Sequence, residues 1–180
     1  MPGSTAPRTR VAFVCLGNIC RSPLAEALFR AHAERLGIAD RVEVRSMGTG
    51  DWHVGQGADR RTVADAAGRG VDLGAHRAAQ FVADDLAAFD HVFVMDRSNL
   101  HDVLALDRGD AHGHKVRLAR EFDPDPSDEG AGEFAVPDPY TGGPEAFARV
   151  HVLLDRTTAR IAEELKRQSG WEAETPVAPA

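Results

Sequence analysis

A chain of 180 residues suits one domain, because two would each be short of core. With 21 Lys plus Arg against 28 Asp plus Glu, the formal charge of −7 argues against a chain built to bind nucleic acid or an anionic membrane, while leaving room for a local cationic pocket. Two cysteines are too few for a disulfide-built secreted scaffold, and no apolar run nears the roughly 20 residues that span a bilayer.

Taken in chain order, Met1–Arg10 is polar and lacks a signal-peptide core, so the expected compartment is the cytoplasm. Val11–Val14 reads as a buried strand. It runs into Cys15-Leu16-Gly17-Asn18-Ile19-Cys20-Arg21. Ser22 and Pro23 then predict a helix start, with Ser as N-cap and Pro at the first helical position. Leu24, Leu28 and Ala31 follow at i, i+4 and i+7, and Gly37 closes the helix. Val42–Ser46 is a second strand, followed by a loop with Gly48, Gly50, Gly55 and Gly57 and a weak helix over Arg60–Arg69. His91–Met95 is the third strand, and Asp96 is placed to cap a helix carrying Leu100, Val103 and Leu104. Val116–Leu118 is the fourth. Asp123–Pro139, rich in Pro, Asp and Gly, reads as a long loop. Phe147, Val150, Leu154, Thr157, Ile161 and Leu165 mark the clearest helix. Residues 1–9 are expected to be flexible and Ser169–Ala180, including Trp171, disordered, which leaves one domain over 10–168. Strands alternating with helices predict an α/β fold, a parallel sheet covered on both faces, with ligands at the carboxyl ends of the strands. Cys15 stands at such an end.

Cys15 and Arg21 form a C-x5-R pair. Chance supplies about 0.2 such pairs in a chain of this composition, and requiring Ser-Pro directly after lowers that to about 0.001. The physics fits an oxyanion site. A loop turning from strand into helix aims the successive backbone N–H groups of Leu16, Gly17, Asn18, Ile19, Cys20, Arg21 and Ser22 inward as an anion nest, and the helix start adds its positive end. Arg21 offers a planar fork for two phosphate oxygens. The same field favours a thiolate at Cys15, to which the Ser22 hydroxyl can donate. A nucleotide-binding P-loop is excluded, because the lysines, Lys115 and Lys166, lie far from this loop. A phosphate monoester attacked by Cys15 also needs an acid for its leaving oxygen. Asp138, in Asp138-Pro139-Tyr140, is a candidate, but Asp123 and Asp125 also precede prolines, so pattern alone does not choose among them. His112 and His114 read as a surface turn, and no metal-ligand spacing appears.

The string Val14–Pro23 resembles the signature loop of the low-molecular-weight protein tyrosine phosphatases, in wording closest to bacterial members, and Asp138-Pro139-Tyr140 resembles that family's acid loop. Ser46–Gly55, His76–Gln80 and Met95–Leu100 are also similar to family segments, so the resemblance covers roughly residues 10–168. It implies a three-layer fold whose four-stranded parallel sheet runs in the flavodoxin-like order 2-1-3-4. It implies Cys15 as nucleophile, Arg21 as phosphate clamp and Asp138 as acid and base. Asn18 would brace the loop, Ser22 and His76 would support it, and Asp96 would face the acid loop. Trp52 and Tyr140 would flank the substrate ring, and Cys20 would pair reversibly with Cys15 under oxidation. The implied reaction is hydrolysis of phosphotyrosine in proteins through a phosphocysteine, with inorganic phosphate as product and inhibitor and with no cofactor, nucleic acid or membrane partner. Thr141 stands where many members carry a second tyrosine, Met47 where alanine is common, and the Pro/Asp-rich stretch before Asp138 is unusually long. Two other functions share the loop type: arsenate reduction, which passes oxidation to further cysteines that this chain lacks after Cys20, and passive phosphate binding, which dispenses with nucleophile or acid.

Overall fold

The computed structural model of the protein describes residues 7–125 and 134–171. The expected flexible ends, and the middle of the expected long loop, fall largely outside them. Four strands form the sheet: β1 (Thr9–Cys15), β2 (Val42–Gly48), β3 (His91–Val94) and β4 (Val116–Leu118). All pairings are parallel, in the order β2-β1-β3-β4. β1 is central, which is why its apolar run is unbroken rather than alternating: both faces are covered. Val11 and Phe13 face a core shared with Leu24, Phe29, Leu154 and Ile161. Ala12 and Val14 face the opposite core, with Leu86, Phe89 and Val103.

Among the described residues, five α-helices make the outer layers: α1 (Arg21–Arg35), α2 (Arg60–Gly68), α3 (Ala83–Ala88), α4 (Arg97–Leu104) and α5 (Pro144–Gln168). The α5 stripe is buried throughout, as its period requires. Asp65 of α2 meets His151 of α5 at 2.8 Å. In α1, Phe29 and His32 are buried and Ala31 faces solvent, so the buried face is rotated from the one its leucines suggest. The α1 start is also earlier than its Ser-Pro pair predicts. Cys20 is the N-cap, without a side-chain cap bond, because the Ser22 hydroxyl is engaged in the loop. α3 escapes the sequence reading because six residues with only Leu86 buried carry no period. Asp96 does cap α4, its Oδ1 accepting from Asn99 N at 2.8 Å. Trp171 is described and packs against the core beyond α5, in place of the expected disorder. Among the described residues, no helix is long and apolar enough to cross a membrane.

The order β2-β1-β3 means that the chain leaves β1 to one side and returns on the other. The carboxyl end of β1 is therefore the crevice where such sheets bind ligands, and Cys15 lies there.

Candidate active site

The loop from Cys15 to Arg21 is shaped by what holds its carbonyls. Thr49 N donates to Cys15 O at 2.8 Å, Gly50 N to Leu16 O at 2.9 Å, and Asp59 N to Ile19 O at 2.8 Å. His76 Nε2 lies 2.7 Å from Asn18 O; since a carbonyl only accepts, that nitrogen carries the proton. With these carbonyls bound outward and every peptide of the loop trans, planarity turns the N–H groups of Leu16, Gly17, Ile19 and Cys20 the other way, into the bowl. The Asn18 N–H donates to Cys15 Sγ at 3.3 Å.

Asn18 is the fully buried brace. It sits at φ 55°, a left-handed conformation that costs a non-glycine residue free energy, and its side chain locks it there. Nδ2 donates to Ser22 Oγ at 2.9 Å and Ser46 Oγ at 3.0 Å, while Oδ1 accepts from Ala79 N at 2.9 Å. Ser22 Oγ lies 3.0 Å from Cys15 Sγ and 3.2 Å from Met47 O, so its single proton serves either the sulfur or that carbonyl.

Gly48, opposite Cys15 in the β1–β2 register, is a residue the sequence left as one loop glycine among four. A Cβ there would meet Leu16 O at 2.7 Å and Asn18 N at 3.0 Å, both backbone atoms that cannot step aside cheaply. Gly48→Ala is expected to destabilise the fold by about 1–3 kcal/mol, the usual cost of overpacking. It should also weaken inhibition by phosphate roughly tenfold or more, read from melting curves and from phosphate competition, because the bowl itself is displaced.

Arg21 is 3% exposed. Nη1 donates to Asp96 Oδ2 at 2.7 Å and to Val136 O at 3.1 Å; Nη2 donates to Asp138 Oδ2 at 3.0 Å. Burial opposes its charge, but Cys15, Asp138 and Asp96 outweigh that and hold the guanidinium above its ordinary pKa. Asp96 therefore has two tasks, capping α4 with one oxygen and anchoring Arg21 with the other. Burial pushes the Cys20 thiol up to about 12, so it is neutral at physiological pH. Cys15 and Cys20 are not joined in a disulfide.

A cavity of about 310 Å³ opens above Cys15 Sγ, with Arg21 and Asp138 on its lining. Trp52 and Tyr140, 66% and 51% exposed, flank its mouth, with the Trp52 indole lying across Gly50. Thr141 lines it beside Tyr140, where a second aromatic ring would have stood. His53 also lines it, a residue quoted in the sequence only as part of a loop; its ring edge rests on Gly17 and its Nδ1 lies 2.9 Å from Gln56 Oε1. Among the described residues, Asp138 is the aspartate on this lining. Asp123 is buried elsewhere, gripped by Arg156 at 2.6 and 2.9 Å and by Arg120 at 3.2 Å, and Asp125 pairs with Arg156 near the surface. The choice that pattern left open among three Asp-Pro pairs is thus a matter of placement.

Comparison with known proteins agrees with this geometry. A family profile described as low molecular weight phosphotyrosine protein phosphatase matches residues 10–170. The low molecular weight protein-tyrosine-phosphatase of Streptomyces coelicolor is 40% identical over 159 residues, covering 88% of this chain and 94% of that protein. The low molecular weight protein-tyrosine phosphatase A of Mycobacterium tuberculosis is 40% identical over 145 residues, covering 81% and 84%. A crystal structure of a protein tyrosine phosphatase from Entamoeba histolytica, with Hepes in its active site, superposes with a TM-score of 0.79 at 30% identity over 91% of this chain and 99% of that one. The strand order, the bowl at the end of β1 and this coverage lead to one conclusion: the chain belongs to the low molecular weight phosphotyrosine protein phosphatase family.

Proposed function

We propose that the enzyme hydrolyses phosphotyrosine in proteins with Cys15 as nucleophile, Arg21 as phosphate clamp and Asp138 as acid and base. The observation that carries the assignment is that Cys15, Arg21 and Asp138 line one cavity together with Leu16, Gly17, Ile19 and Cys20 of the loop, with Arg21 Nη2 3.0 Å from Asp138 Oδ2. In the first step the Cys15 thiolate forms an S–P bond as the P–O bond to tyrosine breaks. Asp138, protonated, gives its proton to the departing phenolic oxygen. The three remaining phosphoryl oxygens rest on Arg21 and the N–H groups between Leu16 and Ser22, which neutralise the charge that spreads onto them. In the second step Asp138, now a carboxylate, takes a proton from water as that water attacks phosphorus. The S–P bond breaks, and inorganic phosphate and the thiolate are restored. The Ser22 hydroxyl and the Asn18 N–H stand where the returning negative charge on sulfur is received. Phosphate, the product, fits the same cradle and competes with substrate.

The substrate dianion competes with Asp138 for Arg21 Nη2, so binding releases the acid from its ion pair toward the leaving group. Trp52 and Tyr140 form the walls for the tyrosine ring, with Thr141 leaving one side open. Cys20, neutral and beside the nucleophile, supports a role as its partner under oxidation. A catalytic thiolate and two free cysteines suit the reducing cytoplasm.

Two measurements test the reading. Acid quenching during turnover of a phosphotyrosine peptide should trap phosphate on Cys15. Asp138→Asn should slow turnover by roughly 10²- to 10⁴-fold, the usual size of a general-acid contribution; a change under a few-fold would move that role to another group.

A further inference from the structure

We infer that Arg61 is the positioning residue that keeps the acid segment in register with the phosphate loop. The inference rests on the reading of Asp138 as the acid and names what holds it in place.

Asp138 and Tyr140 are the exposed members of a turn whose Pro139 is buried: their exposures are 46% for the carboxylate side chain and 51% for the tyrosine. The Tyr140 N–H donates to Asp138 Oδ1 at 3.1 Å, so the orientation of this peptide sets the orientation of the acid. The Arg21–Asp138 ion pair cannot serve as the permanent tether, because substrate takes that nitrogen. Another bond to the segment must persist through the reaction.

Arg61 makes it. Its Nη1 donates to Tyr140 O at 2.9 Å. Its Nε and Nη2 grip the two oxygens of Asp59 at 3.0 and 2.9 Å. The guanidinium carbon lies 5.3 Å from the Tyr140 ring centre and 4.7 Å from that of Phe147, which is buried in the first turn of α5. Asp59 is the N-cap of α2, accepting from Arg61 N at 2.8 Å, and its own N–H holds Ile19 O at 2.8 Å. One connected path therefore runs from the phosphate loop through Asp59 and Arg61 to the Tyr140 carbonyl, across that residue to its N–H, and on to Asp138. Each guanidinium nitrogen is used, and the guanidinium carbon lies over two rings. A lysine, a point charge on a flexible stem, reaches one of these partners at a time.

The experiment compares kcat/KM, which reports the step that forms the phosphocysteine, across aryl phosphates of differing leaving-group basicity. Arg61→Ala should lower kcat/KM for phosphotyrosine, whose oxygen needs a proton, by about tenfold. For 2,4-dinitrophenyl phosphate, whose oxygen leaves without one, the change should stay within about twofold. Competition by phosphate, which reads the bowl alone, should stay within about twofold. Arg61→Lys should fall between wild type and alanine. In an Asp138→Asn background, Arg61→Ala should add less than about twofold, as coupled residues do. An equal loss on both substrates, weakened phosphate competition, or no loss at all would each overturn the inference. If Asp138→Asn by itself fails to steepen the leaving-group dependence, the reading of Asp138 is at fault rather than the role of Arg61.

Discussion

Cys15→Ser is expected to abolish turnover of an aryl phosphate, with kcat falling by on the order of 10⁶-fold, the scale seen when a covalent nucleophile is removed from a unit that acts together. The reason is chemical rather than structural. Serine is close in size and can accept from the Asn18 N–H and stand by Ser22 as the thiol does. Yet an alcohol is a far weaker acid than a thiol, and among the described residues the hydrogen-bond partners of the sulfur are the Asn18 N–H and the Ser22 hydroxyl, neither of them a base that would take a serine's proton. The bowl should survive. Calorimetry should therefore find phosphate bound by the serine variant within a few-fold of wild type. Steady-state hydrolysis in the presence of a chelator makes the decision: turnover near the wild-type rate would remove Cys15 from the mechanism.

Arg21→Ala should bring the next largest loss, about 10³-fold in kcat/KM, comparable to or above the removal of one preorganised oxyanion donor. Here stability falls too. Arg21 is almost wholly buried, and its removal strands Asp96 Oδ2, Val136 O and Asp138 Oδ2 without their donor. The buried Val136 O is left without this donor while the partly exposed Asp96 and Asp138 can turn to water, so the cost is about 1–3 kcal/mol and thermal unfolding should shift downward together with activity. Arg21→Lys separates the two effects. An ammonium can answer Asp96 and recover part of the stability, but it cannot span Asp96, Val136 and a phosphoryl group at once. Its activity should remain at least roughly 10²-fold down. Activity within a few-fold of wild type for Arg21→Lys would mean that the phosphate is held by the amides alone.

Four strands and the longest helix were legible because their signals are local. β1 is an unbroken apolar run, and α5 carries six buried positions at a 3–4 residue period. The failures were local signals overruled by distant partners. Ser22 looks like a helix cap, and in isolation would be one. Its hydroxyl instead answers Cys15, Asn18 and Met47, and Cys20 becomes the cap position. Ala31 falls on the right period but outside the buried face. Trp171 reads as tail until the end of α5 brings it onto the core.

The sequence by itself singled out Cys15 and Arg21 as candidate nucleophile and phosphate clamp, and the turn between them as a candidate anion bowl, because Cys15 through Pro23 are contiguous and their spacing is legible without a fold. Tertiary structure alone decided which Asp-Pro pair lines the cavity with Cys15, why a Cβ at position 48 would crowd the loop, and what braces each loop. Those contacts join residues far apart in the chain, 117 positions between Arg21 and Asp138, 79 between Arg61 and Tyr140 and 58 between Asn18 and His76. Such pairs leave no periodic trace in the sequence, and only the packing of the sheet against its two helical layers brings them within hydrogen-bonding reach.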